Sequence, residues 1–229
     1  MTNSPDSAEN EATRPTADLQ WRRHLPTLAS AAAGIHQASD DWDAVSDSFC
    51  DQDGWPIDEK GYADGKVKRD AEAWKHAEVF LDLGPEVLAG VREAASGDDY
   101  VEGAISDDLR WLRGIDTTLE HARQLRREWD EVVALIDGPL PGTREIYEER
   151  AQEHRNSEGW HYAHELGIQG PALIRAAEHL AHRADTEQAA QTERARVALA
   201  RSSSGTREAP RTDPPVPRAP NPAPPGRSR

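Results

Sequence analysis

Histidine and glutamate side chains recur at steps of three and four between residues 154 and 165, a spacing that places side chains on one face of an α-helix. Imidazole and carboxylate groups at such steps can share a metal ion, and a second helix could complete the coordination shell. No HExxH segment occurs, and solvated Glu/His faces are common on charged helices, so we expect neither a resident metal nor another cofactor. The candidate ligands are His154, His161 and Glu165.

A second pattern overlaps the first. Arg155 and Asn156 are followed, after four further residues, by His161. This order resembles the short motif of the all-α HEPN ribonucleases, in which an arginine and a histidine act together on the scissile phosphate at a dimer cleft. The resemblance implies that Arg155 would bind phosphate and that His161 would be the general acid or base.

A third pattern lies in residues 163–176. Ala163 would let two helices approach, Gly167 would form a turn, and Pro171 would stand in the first turn of the next helix. This order resembles the helix-turn-helix motif. Polar residues that could read a DNA groove share one face of that next helix, and they are Arg175, His179, His182 and Arg183. The resemblance implies a DNA-binding protein, acting as a dimer through residues 163–184, whereas a plain corner between two packed helices gives the same pattern.

Carboxylates are dense between residues 40 and 51, at Asp40, Asp41, Asp43, Asp47 and Asp51. The pair Asp51 and Asp53 does not begin a calcium loop, because the twelfth position of an EF-hand register would be Lys60. The carboxylates therefore indicate a solvated acidic face, which could meet a basic partner. Trp55 lies in the adjoining loop and is the tryptophan best placed for an exposed contact.

The balance of charge favours that interpretation. The formal net charge is -15, with -16 in residues 1–142 and +4 in residues 201–229. Such a charge disfavours non-specific attraction to nucleic acid and to anionic membranes. We therefore expect a non-catalytic interaction or regulatory protein that acts through its acidic surface on an unidentified protein partner of basic character. DNA binding and a HEPN-like ribonuclease remain the alternatives.

The single cysteine, Cys50, excludes an internal disulfide and suits a reducing compartment. No apolar run approaches the about 18 residues that a membrane helix needs, and the first residues do not form an apolar signal core. We therefore expect a cytoplasmic protein that does not enter a membrane.

The element that must organise these residues is a long helix, predicted over residues 106–137. Apolar residues recur there at helical steps from Ile105 to Ile136, Ser106 is a suitable cap, and Gly138-Pro139 ends the run. A helix with such a stripe needs other helices to cover it. The sequence thus predicts an all-α bundle of six or seven helices around this central one. Tryptophans at positions 21, 42, 74, 111 and 129 are expected to pack between helices.

The predicted organisation has four parts. Residues 1–16 are polar and expected to be disordered, and residues 17–142 form the acidic bundle, with a helix break at Gly84-Pro85. Residues 143–201 form a helical hairpin with its corner at 163–176. Residues 202–229 are a disordered tail rich in proline and arginine. The Ala-rich end of the last helix has a weak apolar stripe, which motivates a hypothesis of homodimerisation.

Overall fold

The computed structural model describes residues 19–136 and 143–203 of the 229-residue chain. Within these residues the regular elements are helical and no strand occurs, so the predicted all-α bundle is confirmed. Short 3₁₀ helices precede and follow the first α-helix, at Gln20–His24 and Asp47–Phe49. The α-helices are α1 Leu25–Ser46, α2 Glu59–Ala94, α3 Gly97–Val101, α4 Ser106–Leu135 and α5 Thr143–Ser203.

The chain divides into two units, Met1–Thr186 and Glu187–Arg229, and the packing described below lies within the first. In the second unit the structure describes the end of α5, where the side chains of residues 187–202 are exposed. The disorder predicted for residues 1–16 and for most of residues 202–229 falls outside the described residues, whereas Ser202 and Ser203 belong to α5. Homodimerisation through the end of α5 stays a prediction.

The predicted central helix is α4, which begins at Ser106 as expected and ends two residues earlier than expected. Its apolar stripe is buried from Leu109 to Ala122. The last turns are open, since Val132 is 42% exposed and Leu135 is 82% exposed. Ile105, rather than Ser106, holds the cap position, and no side chain caps the first turn.

The core lies between α1, α2, α4 and α5. Apolar residues are only 36% of the chain, so a limited set of large side chains must supply most of the buried area. Each fully buried side chain of this size contributes about 1.5–3 kcal/mol. The largest are Leu28 and Ile35 of α1, Trp74, Phe80, Val87 and Val91 of α2, Ile115 and Leu119 of α4, and Leu166, Leu173 and Leu180 of α5.

Glycines of α5 allow this helix to approach aromatic side chains of α2. A Cβ atom added at Gly159 would lie 2.3 Å from the ring of Trp74, and one added at Gly170 would lie 2.6 Å from the ring of Phe80. Real Cβ contacts are essentially never that short. These contacts explain why glycine occupies helix interiors, where it costs about 1 kcal/mol relative to alanine.

The predicted break at Gly84-Pro85 is absent, because α2 continues through it. Proline has no backbone N–H, so Pro85 leaves the carbonyl of Leu81, four residues earlier, without its helical donor. Arg123 of α4 supplies the missing hydrogen bond, with Nη2 at 3.2 Å from the Leu81 oxygen. A contact from another helix thus allows α2 to continue where its own sequence predicts an end.

The predicted corner between Gly167 and Pro171 is also absent, and residues 143–201 lie in one helix rather than in a hairpin. Pro171 frees the carbonyl of Gly167 in the same way. His36 of α1 donates from Nε2 to this oxygen at 2.9 Å. The two-helix corner on which the helix-turn-helix resemblance depends is therefore not formed in the structure.

Candidate interaction surface

Trp42, near the C-terminal end of α1, holds the start of α2 and the loop before it. Its side chain is buried. The ring of Phe49 stacks on it with centroids 6.3 Å apart, and Tyr62 of α2 meets it edge-on at 5.0 Å. A Cβ atom at Gly65 would lie 2.2 Å from the Trp42 ring, so only glycine leaves it room. This cluster fixes both ends of the connecting loop.

The first half of that loop is a tight turn from Asp51 to Trp55. The Asp51 backbone N–H donates to the Trp55 carbonyl at 2.8 Å. The Asp51 Oδ1 atom accepts hydrogen bonds from the backbone N–H groups of Asp53 and Trp55, both at 2.9 Å. Gly54 has a φ of 81°, which lies in the left-handed region that favours glycine. The turn therefore has a defined shape.

The second half of the loop is tied to the 3₁₀ helix before it. Cys50 and Pro56 pair as an antiparallel bridge, and the Ile57 N–H donates to the Phe49 carbonyl at 2.8 Å. Asp58 then caps α2, where its Oδ1 atom accepts from the Gly61 N–H at 2.9 Å. The loop is thus anchored by its backbone at both ends.

This anchored loop exposes two large apolar side chains. Trp55 and Ile57 are each 71% exposed. They flank Pro56 in the sequence. By contrast, Trp21, Trp42 and Trp74 are buried as predicted. An exposed apolar pair on a defined backbone is typical of contact sites, where tryptophan is enriched.

Carboxylates without ionic partners occur in the sequence on both sides of this pair. Residues 25–59 contain eight Asp and Glu residues and no Lys or Arg. All eight are exposed, and none is within ion-pair distance of a basic side chain in the described part of the chain. We name these carboxylates, together with Trp55 and Ile57, the Trp55 surface. Its carboxylates are Asp40, Asp41, Asp43, Asp47, Asp51, Asp53, Asp58 and Glu59.

The candidate metal ligands do not converge in the structure. The ring of His154 stacks on Trp129, and Glu165 accepts a hydrogen bond from Gln169 at 2.7 Å. His161 is exposed and lies about 10 Å along the helix axis from His154. Among the described residues, no three His, Cys, Asp or Glu side chains are grouped so that they could hold a metal ion.

Arg155 and His161, the residues of the HEPN-like pattern, also face different surroundings. The Arg155 guanidinium lies over the ring of Trp74, 5.6 Å from its centroid, and 3.6 Å from a carboxylate oxygen of Glu78. A separation of six residues turns a helix by about 240°, so the two side chains diverge by about 120°. Within one chain they do not meet at a common phosphate position.

The four DNA-reading candidates fall into two kinds. His179 and His182 are exposed. Arg175 pairs with Asp108 of α4, with Nε 3.3 Å from Oδ2. Arg183 donates to Asp99 of α3 at 2.8 Å and to the carbonyl of Ala94 at 3.0 Å. Both arginines are thus neutralised by carboxylates of neighbouring helices, and a phosphate would have to compete with those carboxylates.

The sequence predicted that Trp55 and five of the eight carboxylates are exposed, as they are, but it did not single out Ile57 or the packing of Phe49 and Tyr62 on Trp42. The available signal for Ile57 was an apolar residue that follows Trp55-Pro56 between aspartates. Trp111 was expected to pack between helices, and it is 50% exposed on α4. Periodicity alone could not show this, because Trp111 lies beside the buried Leu112.

No protein-family model, curated protein or solved structure matches this chain. In the helices that the structure describes, no segment combines the length and the apolar character needed to cross a membrane.

Proposed function

We propose that this protein is a non-catalytic interaction protein of the cytoplasm, which binds a basic partner through the Trp55 surface. The single observation that carries the proposal is the exposure of Trp55 and Ile57, 71% each, on a loop anchored at both ends. Burying such side chains against a partner removes apolar surface from water. Each Å² of buried apolar surface contributes about 25 cal/mol of favourable free energy. The anchored loop has little conformational freedom left to lose on binding.

Charge supports a basic rather than an acidic partner. The carboxylates of the Trp55 surface have no ionic partners among the described residues, so a cationic ligand would not first have to displace an arginine. Arginine guanidinium groups can also stack on an indole ring while they pair with carboxylates. The partner chemistry that fits both features is a peptide segment rich in arginine.

An oligo-arginine peptide labelled with a fluorophore tests this proposal by fluorescence anisotropy. We expect Trp55→Ala to weaken binding by about thirtyfold, as expected for loss of a tryptophan hot spot worth about 2 kcal/mol. The matched control is Trp111→Ala, which removes another exposed tryptophan outside the surface and should leave the dissociation constant unchanged. Binding by wild type should weaken between about 50 and 200 mM salt, since exposed charges are screened.

Equal losses in the two tryptophan variants, or none in either, would contradict the proposal. Binding of duplex DNA that is lost in Arg175→Ala would instead support the DNA-binding alternative. Cleavage of single-stranded RNA that is lost in His161→Ala would support the ribonuclease alternative.

A further inference from the structure

Two carbonyl groups inside helices receive hydrogen bonds from side chains of other helices, each at the place where a proline removes the helical donor. In α5 the carbonyl of Gly167 receives Nε2 of His36, at 2.9 Å. In α2 the carbonyl of Leu81 receives Nη2 of Arg123, at 3.2 Å. Gly167 and Leu81 are buried residues and both hydrogen bonds are partly buried, although His36 itself is exposed, so water has only limited access to the two carbonyl groups. A buried carbonyl without a donor is strongly unfavourable.

The segment around Pro171 is weak as an isolated helix. Two glycines, Gly167 and Gly170, stand within four residues of the proline, and all three residues have low helix propensity. The Oε1 atom of Gln169, between them, is buried and has no donor in the described part of the chain. Only contacts from outside the helix can offset these local costs. Two residues of α1 supply such contacts. His36 donates the hydrogen bond, and Ile35 packs so closely that a Cβ atom added at Gly167 would lie 2.9 Å from it.

We propose that His36 and Arg123 are locks on two proline hinges, so that α5 and α2 stay continuous only while α1 and α4 donate to them. When His36 withdraws, the segment 167–171 opens locally and forms the turn that its sequence predicts. The continuous helix and the predicted corner are then two conformations of one segment. The contact with α1 decides which of them is populated.

A double-mutant cycle on the full-length protein tests the lock in α5. His36→Ala removes the donor, and Pro171→Ala restores a backbone N–H that can bond the Gly167 carbonyl within the helix. We expect His36→Ala alone to raise the hydrogen-exchange rates of the backbone amides of residues 167–170 and 172 by about tenfold. In the Pro171→Ala background, the same substitution should change those rates by less than about twofold.

Two controls separate the lost hydrogen bond from lost packing. His36→Gln keeps a side-chain N–H donor and should exchange like wild type. His179→Ala removes an exposed histidine of α5 that does not bond to either of the two carbonyl groups. It should leave the exchange rates unchanged as well. The cycle of Arg123→Ala with Pro85→Ala repeats the test in α2, where the exchange rates are measured at the amides of residues 81–84, 86 and 87.

The proposal is overturned if His36→Ala accelerates exchange equally in both backgrounds, since the effect would then be independent of the proline. It is also overturned if His36→Ala changes nothing in either background. These readouts do not involve any ligand, so they are independent of the function proposed for the Trp55 surface.

Discussion

Asp99 is held by hydrogen bonds from two neighbouring elements. Burial alone would raise the pKa of its carboxyl group. Hydrogen bonds from the Ser96 backbone N–H, from the Arg183 guanidinium and from the Ser96 hydroxyl outweigh the burial, and the pKa lies below its ordinary value. A lowered pKa means that the folded state favours the carboxylate, so Asp99 stabilises the protein above the pKa of the unfolded chain, about 3.9. This contribution disappears as the pH falls through the lower pKa of the folded state.

We therefore expect Asp99→Asn to lower the free energy of unfolding by about 1–3 kcal/mol at neutral pH, since it leaves Arg183 without its charged partner. The difference from wild type should shrink as the pH falls below about 4. Urea unfolding at a series of pH values measures it. Asp107→Asn is the control: its exposed pair with Arg110 should contribute less than about 1 kcal/mol. A difference for Asp99→Asn that stays constant from neutral pH to about pH 3 would contradict this account.

For single residues of the candidate sites, exposure could be predicted from the sequence, whereas distant partners could not. The exposure of Trp55 was predictable, because its loop is rich in glycine, proline and aspartate. The partners of Arg175 and Arg183 were not, because Asp108 and Asp99 lie more than sixty residues away in the chain. Helix periodicity places an arginine on a face, and it does not show which other helix meets that face.

At the scale of helices, too, some features follow from the local sequence and others depend on distant parts of the chain. The position of α4 followed, to within two residues at its end, from the spacing of its apolar residues, a signal contained within the helix itself. The continuity of α2 and α5 through Pro85 and Pro171 did not, because the donors that permit it come from other helices. The local sequence therefore predicted two helix ends that the structure does not have. Hydrogen bonds from neighbouring helices explain why α2 and α5 continue there.

Because α5 packs closely on α2, we expect alanine substitutions at two glycines to change the free energy of unfolding differently. Alanine at an exposed helical position usually stabilises relative to glycine by up to about 1 kcal/mol. Gly159→Ala should instead lower the free energy of unfolding by about 1–3 kcal/mol, because its Cβ would overlap the buried ring of Trp74. Gly97→Ala, with nothing within 4 Å of the added Cβ, should be neutral or stabilising. Chemical denaturation measures both, and a stabilising Gly159→Ala would mean that the two helices are not this close.

At the scale of the whole molecule, composition predicted an acidic protein and helical periodicity predicted an all-α bundle, and the helical bundle is confirmed. Composition could not show which carboxylates have partners. Several acids elsewhere pair with arginines across helices, such as Asp82 with Arg126 and Asp116 with Arg92, whereas those of residues 40–59 do not. Eight successive carboxylates without an ion pair thus lie in the sequence beside the exposed Trp55 and Ile57, and the proposed function rests on that combination.

The most direct test is an NMR titration of the ¹⁵N-labelled protein with the oligo-arginine peptide. We expect the indole N–H of Trp55 and the backbone amides of residues 51–59 to shift together and saturate, while the indole of Trp111 and the amides of residues 163–184 stay in place. Shifts spread evenly over the acidic residues of the bundle, with the Trp55 indole unmoved, would contradict the proposal.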